Sequence, residues 1–260
     1  MKYSRRSFLE FLGKGSVVGA ASFALAPVLH ACKSEVISLG PVSYDAQVGF
    51  KSITVLKADH VRLADGFTHE LLVKFGDPIS DKDYFGTHND YLAFIPLNEG
   101  GSEGILWSNH EYLDPVLMGT YAPAEAKTIE QVEKEQYAVG GSLVHVQLNA
   151  QGSWSVKKES EYNRRLTAKT SIPFLWDEPI DGSMEAIGTF AGCAGGVTPW
   201  GTILSCEENT ASYYGDYVYD EVSGAVIDRL PGGYGWKKYF DYSPEHYGWA
   251  VEINPKTGEA

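Results

Sequence analysis

The octapeptide Gly104-Ile-Leu-Trp-Ser-Asn-His-Glu111 aligns without gaps on Gly201-Thr-Ile-Leu-Ser-Cys-Glu-Glu208, sharing the opening glycine, the apolar strand, the serine and the closing glutamate. A looser third copy, Gly248-Trp-Ala-Val-Glu252-Ile, again opens a strand with glycine and carries a carboxylate at its far end. One strand element recurring between turn-rich segments points to an all-β chain. Among all-β architectures it fits a β-propeller, whose blades aim strand ends and loops at one central axis. Acids far apart in the sequence converge in such a fold. A content of 16 tyrosines, 6 tryptophans and 28 glycines, with few long amphipathic stretches, favours the same class.

The second copy ends a longer run, Cys193-Ala-Gly-Gly-Val-Thr-Pro-Trp-Gly-Thr-Ile-Leu-Ser-Cys206-Glu207-Glu208-Asn209, that reads as two short strands broken by Pro199 and Gly201. Two thiols, two adjacent carboxylates and a carboxamide around a glycine-rich hairpin make up a metal-site composition rather than a packing one. Strand alternation sends Glu207 and Glu208 to opposite faces, so only one joins Cys193 unless a bulge or a strand end frees both. The cysteines allow two readings. Cys193 and Cys206 form a disulfide across the hairpin or pack as apolar residues; alternatively the small neighbours in Gly192-Cys-Ala-Gly-Gly let the backbone approach a ligand. A formal charge of -13, with no basic stripe and no zinc-finger spacing, excludes nucleic acid as a partner.

Four ordered motifs resemble the PhoX-type alkaline phosphatases of bacteria. They are Thr87-His-Asn-Asp-Tyr-Leu-Ala-Phe-Ile-Pro-Leu97, Gly104 through Tyr112, Cys193 through Asn209, and Glu245-His-Tyr-Gly-Trp-Ala-Val-Glu-Ile-Asn-Pro255, and the resemblance runs from about residue 50 to the end. It implies a six-bladed propeller that hydrolyses small-molecule phosphate monoesters with a cluster of iron (Fe3+) and calcium (Ca2+) in the axial channel, and a monomer. Carried over by position, Cys193 is the thiolate ligand of iron, Glu208 and Glu252 are carboxylate ligands, and Glu207 and Glu111 are further candidates. Asn89, Asp90, Asn109 and Asn209 lie inside the matching motifs as residues that orient ligands or shape backbone. Thiolate suits iron, and hard carboxylate oxygens suit calcium or iron(III). Bound cations would also let an acidic protein take an anionic substrate.

Residues 1–32 resemble a twin-arginine export signal, with Arg5-Arg6 in a Ser-Arg-Arg-x-Phe-Leu context and an apolar run too short, and broken by Pro27, to be a permanent span. Leu29-His-Ala-Cys32 resembles a lipobox, which makes Cys32 the acylated first residue of a periplasmic or cell-surface protein; plain cleavage nearby is the alternative. Residues 33–50 read as a linker and 51–260 as the phosphatase domain. The turn Asn254-Pro-Lys-Thr-Gly-Glu259 should lead into another strand, and six blades at about 40–50 residues each need more chain. The expectation is therefore an incomplete propeller, and the resemblance to the PhoX-type phosphatases implies that the phosphate-binding groups lie beyond residue 260.

Strands are expected at Ile53–Val55, His69–Val73, Tyr91–Leu97 and Ile105–Ser108, a hairpin at Leu143–Val156, and helical character in the stretch from Ala122. His88, His110 and His145 read as structural, Arg164-Arg165 as a solvated pair, and Tyr234, Trp236, Tyr239, Phe240 and Tyr242 as packing. Two other functions fit the pattern. One is a propeller lactonase-type hydrolase using calcium alone, and the other is a non-enzymatic binding lipoprotein with the cysteines as a disulfide.

Overall fold

A computed structural model describes residues 49–260 except 56 and 58. The export signal, the lipobox and nearly all of the linker lie outside the described residues. The chain divides into two compact units, up to Glu70 and from Leu71 onward. In the first, the rings of Phe50 and Phe67 meet edge to face at 5.5 Å, and the strand expected at Ile53–Val55 does not form. Those three residues are exposed, and among the described residues no strand pairs with them. His69–Val73 is likewise not a strand. Leu72 and Val73 are held by side-chain packing on Ile79, Phe85, Val144 and Val146 rather than by a ladder.

The second unit is built from short antiparallel strands. β1 (Asn89–Pro96), β2 (Glu103–His110), β3 (Gly140–Leu148) and β4 (Trp154–Val156) pair in that order, and β5 (Arg164–Leu166) also pairs with β3. β6 (Ser171–Pro173) and β7 (Glu185–Ile187) form one ribbon. β8 (Gly192–Val197), β9 (Ile203–Glu207) and β12 (Ala250–Ile253) form a three-stranded sheet with β9 central, and β10 (Asp216–Tyr219) pairs with β11 (Val226–Leu230). The class is all-β, and none of the described sheets closes on itself.

Besides the Ile79, Phe85, Val144 and Val146 cluster, two larger cores hold these sheets. Ile105, Trp107 and Leu143 of the first sheet pack with Ile203, Val251 and Ile253 of the three-stranded sheet. The alternation of apolar residues in β2 and β9 requires this burial. The other core is aromatic: Phe190 lies 4.5 Å from Tyr213, 4.5 Å from Tyr247 and 5.7 Å from Trp236, centroid to centroid. Such contacts add roughly 0.5–1.5 kcal/mol each beyond burial. Tyr213 and Tyr214 enter this core just after β9, so it forms the floor beneath the strand end that carries Glu207 and Glu208.

The helix Ile129–Ala138 starts at a capping box in which Thr128 and Gln131 satisfy each other's backbone N–H. Arg164 and Arg165 are not a solvated pair. Arg164 donates to backbone carbonyls of Tyr162, Glu161 and Thr257, and Arg165 donates to the carbonyls of Tyr137 and Val139 and to Ser142 Oγ. Pairing of β5 with β3, invisible in a three-residue strand, turns Arg165 toward the Tyr137 and Val139 carbonyls and leaves Arg164 bonded to carbonyls on the exposed side.

Candidate metal centre

The repeated octapeptides are the second strands of two bulged hairpins. In β1–β2, Asn89 pairs with His110 and the next pair is Leu92 with Ser108, so Asp90 and Tyr91 face Asn109 alone. In β8–β9, Gly192 pairs with Glu207 and the next pair is Gly195 with Ser205, so Cys193 and Ala194 face Cys206 alone. Asp90 and Cys193 therefore hold the same place in two copies of one bulge. A bulge locally breaks strict in–out alternation and re-aims side chains, and bulges concentrate beside active sites.

The entries to the hairpins also match. His88 (φ 41°) and Ala191 (φ 54°) take left-handed backbone, and their carbonyls accept from the N–H groups of Glu111 and Glu208, each at 2.9 Å. Asn209, just past Glu208, is left-handed too (φ 40°). Of four such non-glycine residues among those described, three flank this site; such backbone costs on the order of 1–3 kcal/mol per residue and gathers at functional positions.

β1 lies beside β8, with the Tyr91 ring resting on Gly195, where an added Cβ would sit 2.2 Å from the ring. This packing unites the two bulges. Asp90, Glu111 and Cys193 bring one potential ligand atom each to within 4.8 Å of one another. A hydrogen bond to Asp90 comes first among the influences that push the Cys193 thiol up to about 11, followed by burial and the charges of Asp90, Glu111 and Glu208. Burial also raises the Glu111 carboxyl; the Tyr112 hydroxyl opposes this and Asp90 adds to it. The charges bearing on the thiol are all negative, so a bound cation would be stabilised by each of them and would convert the thiol to thiolate. A soft sulfur with two hard carboxylates is a donor set that fits iron with or without a neighbouring calcium.

Glu208 is exposed and sits at the position equivalent to Glu111. Asn209 Nδ2 donates to Glu208 Oε1 at 2.5 Å and to the Tyr112 hydroxyl at 2.7 Å, tying the ends of β9 and β2 together. Sequence reasoning treats Asp90 as an orienting residue and assigns Tyr112 nothing, because only the bulge and the pairing of the hairpins place them here. Asn89 Oδ1 accepts from Ser108 Oγ at 3.3 Å, inside the first hairpin.

Glu207 points the other way, as strand alternation requires. Its oxygens accept from Thr189 Oγ1 (2.7 Å), Phe190 N (3.4 Å), Gly248 N (2.9 Å) and Trp249 N (3.4 Å), while burial pushes its carboxyl up to about 7. It ties three segments together beneath the site. Glu207→Gln cannot accept from all four groups and is expected to cost about 1–3 kcal/mol in urea unfolding, without altering the Asp90–Glu111–Cys193 group. Glu252 pairs with Leu204, three positions and about 10 Å along β9 from Glu207. Its Oε1 accepts from Trp200 Nε1 (2.7 Å) and Thr202 Oγ1 (2.6 Å), at the turn end of the hairpin.

Cys193 and Cys206 are both free thiols. His110 is buried, its ring nitrogens bonded to Thr87 O and Ser142 Oγ. His145 is bonded to Ser160 Oγ and Glu103, and exposed His88 faces the Tyr112 ring.

Asn109 locks the two hairpins together. Fully buried, it accepts from Trp107 Nε1 (2.7 Å) and Ser205 Oγ (2.8 Å) and donates to the Cys193 carbonyl (3.0 Å). Asn109→Ala leaves these three groups without their partner. The expected loss is about 2–4 kcal/mol in urea unfolding, together with weaker metal retention, because the backbone of Cys193 loses its anchor.

A family model described as alkaline phosphatase PhoX matches residues 48–260. Among solved structures, Pseudomonas fluorescens PhoX in complex with vanadate, a transition state analogue, is similar with a TM-score of 0.64 and 23% identity, covering 81% of this chain and 43% of that one. The chain thus spans less than half the length of the structure it matches. A search of curated proteins found no match.

Proposed function

This chain belongs to the alkaline phosphatase PhoX family, and from that membership we propose that the full-length protein is a metal-dependent phosphatase that hydrolyses phosphate monoesters to inorganic phosphate. The proposal includes a six-bladed propeller to which the antiparallel hairpins contribute. It also includes export by the twin-arginine route and attachment through acylated Cys32, both argued from sequence.

The observation that supports the chemistry is the convergence of Asp90, Glu111 and Cys193 within 4.8 Å. These three would hold iron through Cys193 and share calcium or iron through the carboxylates, with Glu208 the next candidate. A bound cluster would supply neutralisation of phosphoryl oxygens and a water of lowered pKa. The chain's own residues set the stage for it. Asn109 fixes the Cys193 backbone, the Tyr112 hydroxyl bonds Glu111, and Asn209 holds Tyr112 against Glu208. Glu252, engaged by Trp200 and Thr202, is left out of this ligand set. The P. fluorescens relative binds vanadate as a transition state analogue, and the same class of reaction is proposed here. A thiol placed among the acids favours iron over a calcium-only hydrolase, and the free cysteines disfavour the disulfide-stapled binding protein.

The test is p-nitrophenyl phosphate hydrolysis by the gene's full-length product, with iron and calcium supplied, beside Cys193→Ala. Loss of a ligand should exceed the 10–100-fold usual for residues outside the ligand sphere. Undiminished turnover in the variant would contradict the proposal.

A further inference from the structure

We infer that Tyr112 and Asn209 are positioning residues that act as one bridge, pre-ordering Glu111 and Glu208 to share a bound cation; the inference rests on the metal centre proposed above. The two residues hold the same place in the aligned octapeptide copies, one position past Glu111 and one position past Glu208. Their side chains meet across the two hairpins, where Asn209 Nδ2 donates to the Tyr112 hydroxyl at 2.7 Å.

The hydrogen-bonding capacity of this bridge is committed to the two acids. An amide nitrogen carries two hydrogens; on Asn209 one goes to Tyr112 and the other to Glu208 Oε1 at 2.5 Å. The Tyr112 oxygen accepts from Asn209, and its single hydrogen goes to the Glu111 carboxylate. Equivalent acids of the two hairpins are thus joined through equivalent neighbours. The charge of Glu208 bears on both Glu111 and the Cys193 thiol, so the far end of the bridge reaches the group that gathers within 4.8 Å.

Both halves of the bridge are braced. The Tyr112 carbonyl accepts from Thr87 Oγ1 at 2.6 Å, its ring meets His88 edge to face at 6.3 Å, and Leu113 enters the aromatic core. Asn209 takes left-handed backbone (φ 40°), where glycine is unstrained and asparagine is tolerated. Glycine would serve the backbone there without supplying the amide. The chain after Asn209 returns to the same strand end, with the Tyr213 hydroxyl donating to the Glu111 carbonyl at 2.7 Å. Glu208 is exposed at the end of its strand, so an unheld side chain would give up its rotamer freedom on taking a cation. The bridge removes that cost in advance, which raises metal affinity without adding a ligand.

The test is made on the gene's full-length product loaded with iron and calcium, with Tyr112→Phe, Asn209→Gly and the double variant beside wild type. Retained iron and calcium are measured by elemental analysis at rising EDTA, and urea unfolding of the metal-free proteins is followed by circular dichroism. Each single variant is expected to hold metal roughly 10–100-fold more weakly. The double variant should fall within about 3-fold of the weaker single one, because both changes break one bridge. Metal-free unfolding midpoints should stay close to wild type, since the bridge lies at the surface. Wild-type metal affinity in folded Tyr112→Phe, or losses that multiply in the double variant, would overturn the inference. Folded wild type that retains neither metal would instead overturn the metal centre itself.

Discussion

Replacing Glu135 with alanine is expected to cost about 3–5 kcal/mol of folding stability, the range for breaking a buried ion pair. Glu135 is completely buried and Lys127 is 3% exposed, and their charged atoms lie 2.6 Å apart. The carboxylate also accepts from Thr120 Oγ1 (2.7 Å) and Trp236 Nε1 (2.9 Å). One side chain on the helix Ile129–Ala138 thereby anchors the segment before the helix and the tryptophan of the aromatic core. Its removal strands the Lys127 ammonium in a site closed to water and leaves two further donors unmatched. With native domains stable by about 5–15 kcal/mol, the loss is a large share of the total. A urea slope of about 2–3 kcal/mol per M converts it to a midpoint lowered by more than about 1 M. Lys127→Met combined with Glu135→Leu should recover part of the loss, since no lone charge then stays buried, though Trp236 and Thr120 still lack their acceptor. A midpoint unchanged in Glu135→Ala would mean that this network adds nothing to stability.

The other large effect is expected at the bulges. Asp90→Asn combined with Cys193→Ala removes one potential ligand atom from each hairpin copy and the charge that most strongly perturbs the thiol. Neither side chain is part of the buried cores, and both belong to bulges rather than to the regular ladder. Stability of the metal-free fold should therefore change by less than about 1 kcal/mol, while metal retention falls by far more than the 10–100-fold of an outer residue. Relief of repulsion among Asp90, Glu111 and Glu208 should even favour the empty fold slightly. Metal affinity and fold stability thus part company here, as they do not in Asn109→Ala.

Much of this was legible from residue order alone. The repeat of glycine, apolar strand and closing glutamate identified β2 and β9, and that alignment places Glu111 opposite Glu208 in the way the backbone does. Alternation correctly sent Glu207 and Glu208 to opposite faces. The turn at Asn149–Gly152 was visible for the same local reason, whereas in the helical stretch read from Ala122 the α-helix begins only at Ile129, after the cap at Thr128. What was not legible depends on pairing over long sequence distances. The bulge that brings Asp90 within 4.8 Å of Glu111 and Cys193 appears only when Asn89 meets His110 and Leu92 meets Ser108. The side-by-side packing of β1 and β8, which joins the two halves of the centre, depends on a tyrosine lying over Gly195. Glu252 matched the pattern of a strand-end acid, yet its register opposite Leu204 carries it toward the hairpin turn. Ile53–Val55 had strand composition without a partner strand among the described residues, and β-propensity without pairing does not make a strand.

The central claim is that two copies of one bulged hairpin meet to form a single metal centre. The most direct measurement is elemental analysis of iron and calcium retained by the chain after dialysis against trace metal, for wild type and for Asp90→Asn/Cys193→Ala, with circular dichroism confirming the fold of each. Stoichiometric iron in wild type, lost from a folded double variant, is the result expected. Equal metal in both proteins, or none in folded wild type, would contradict the assignment.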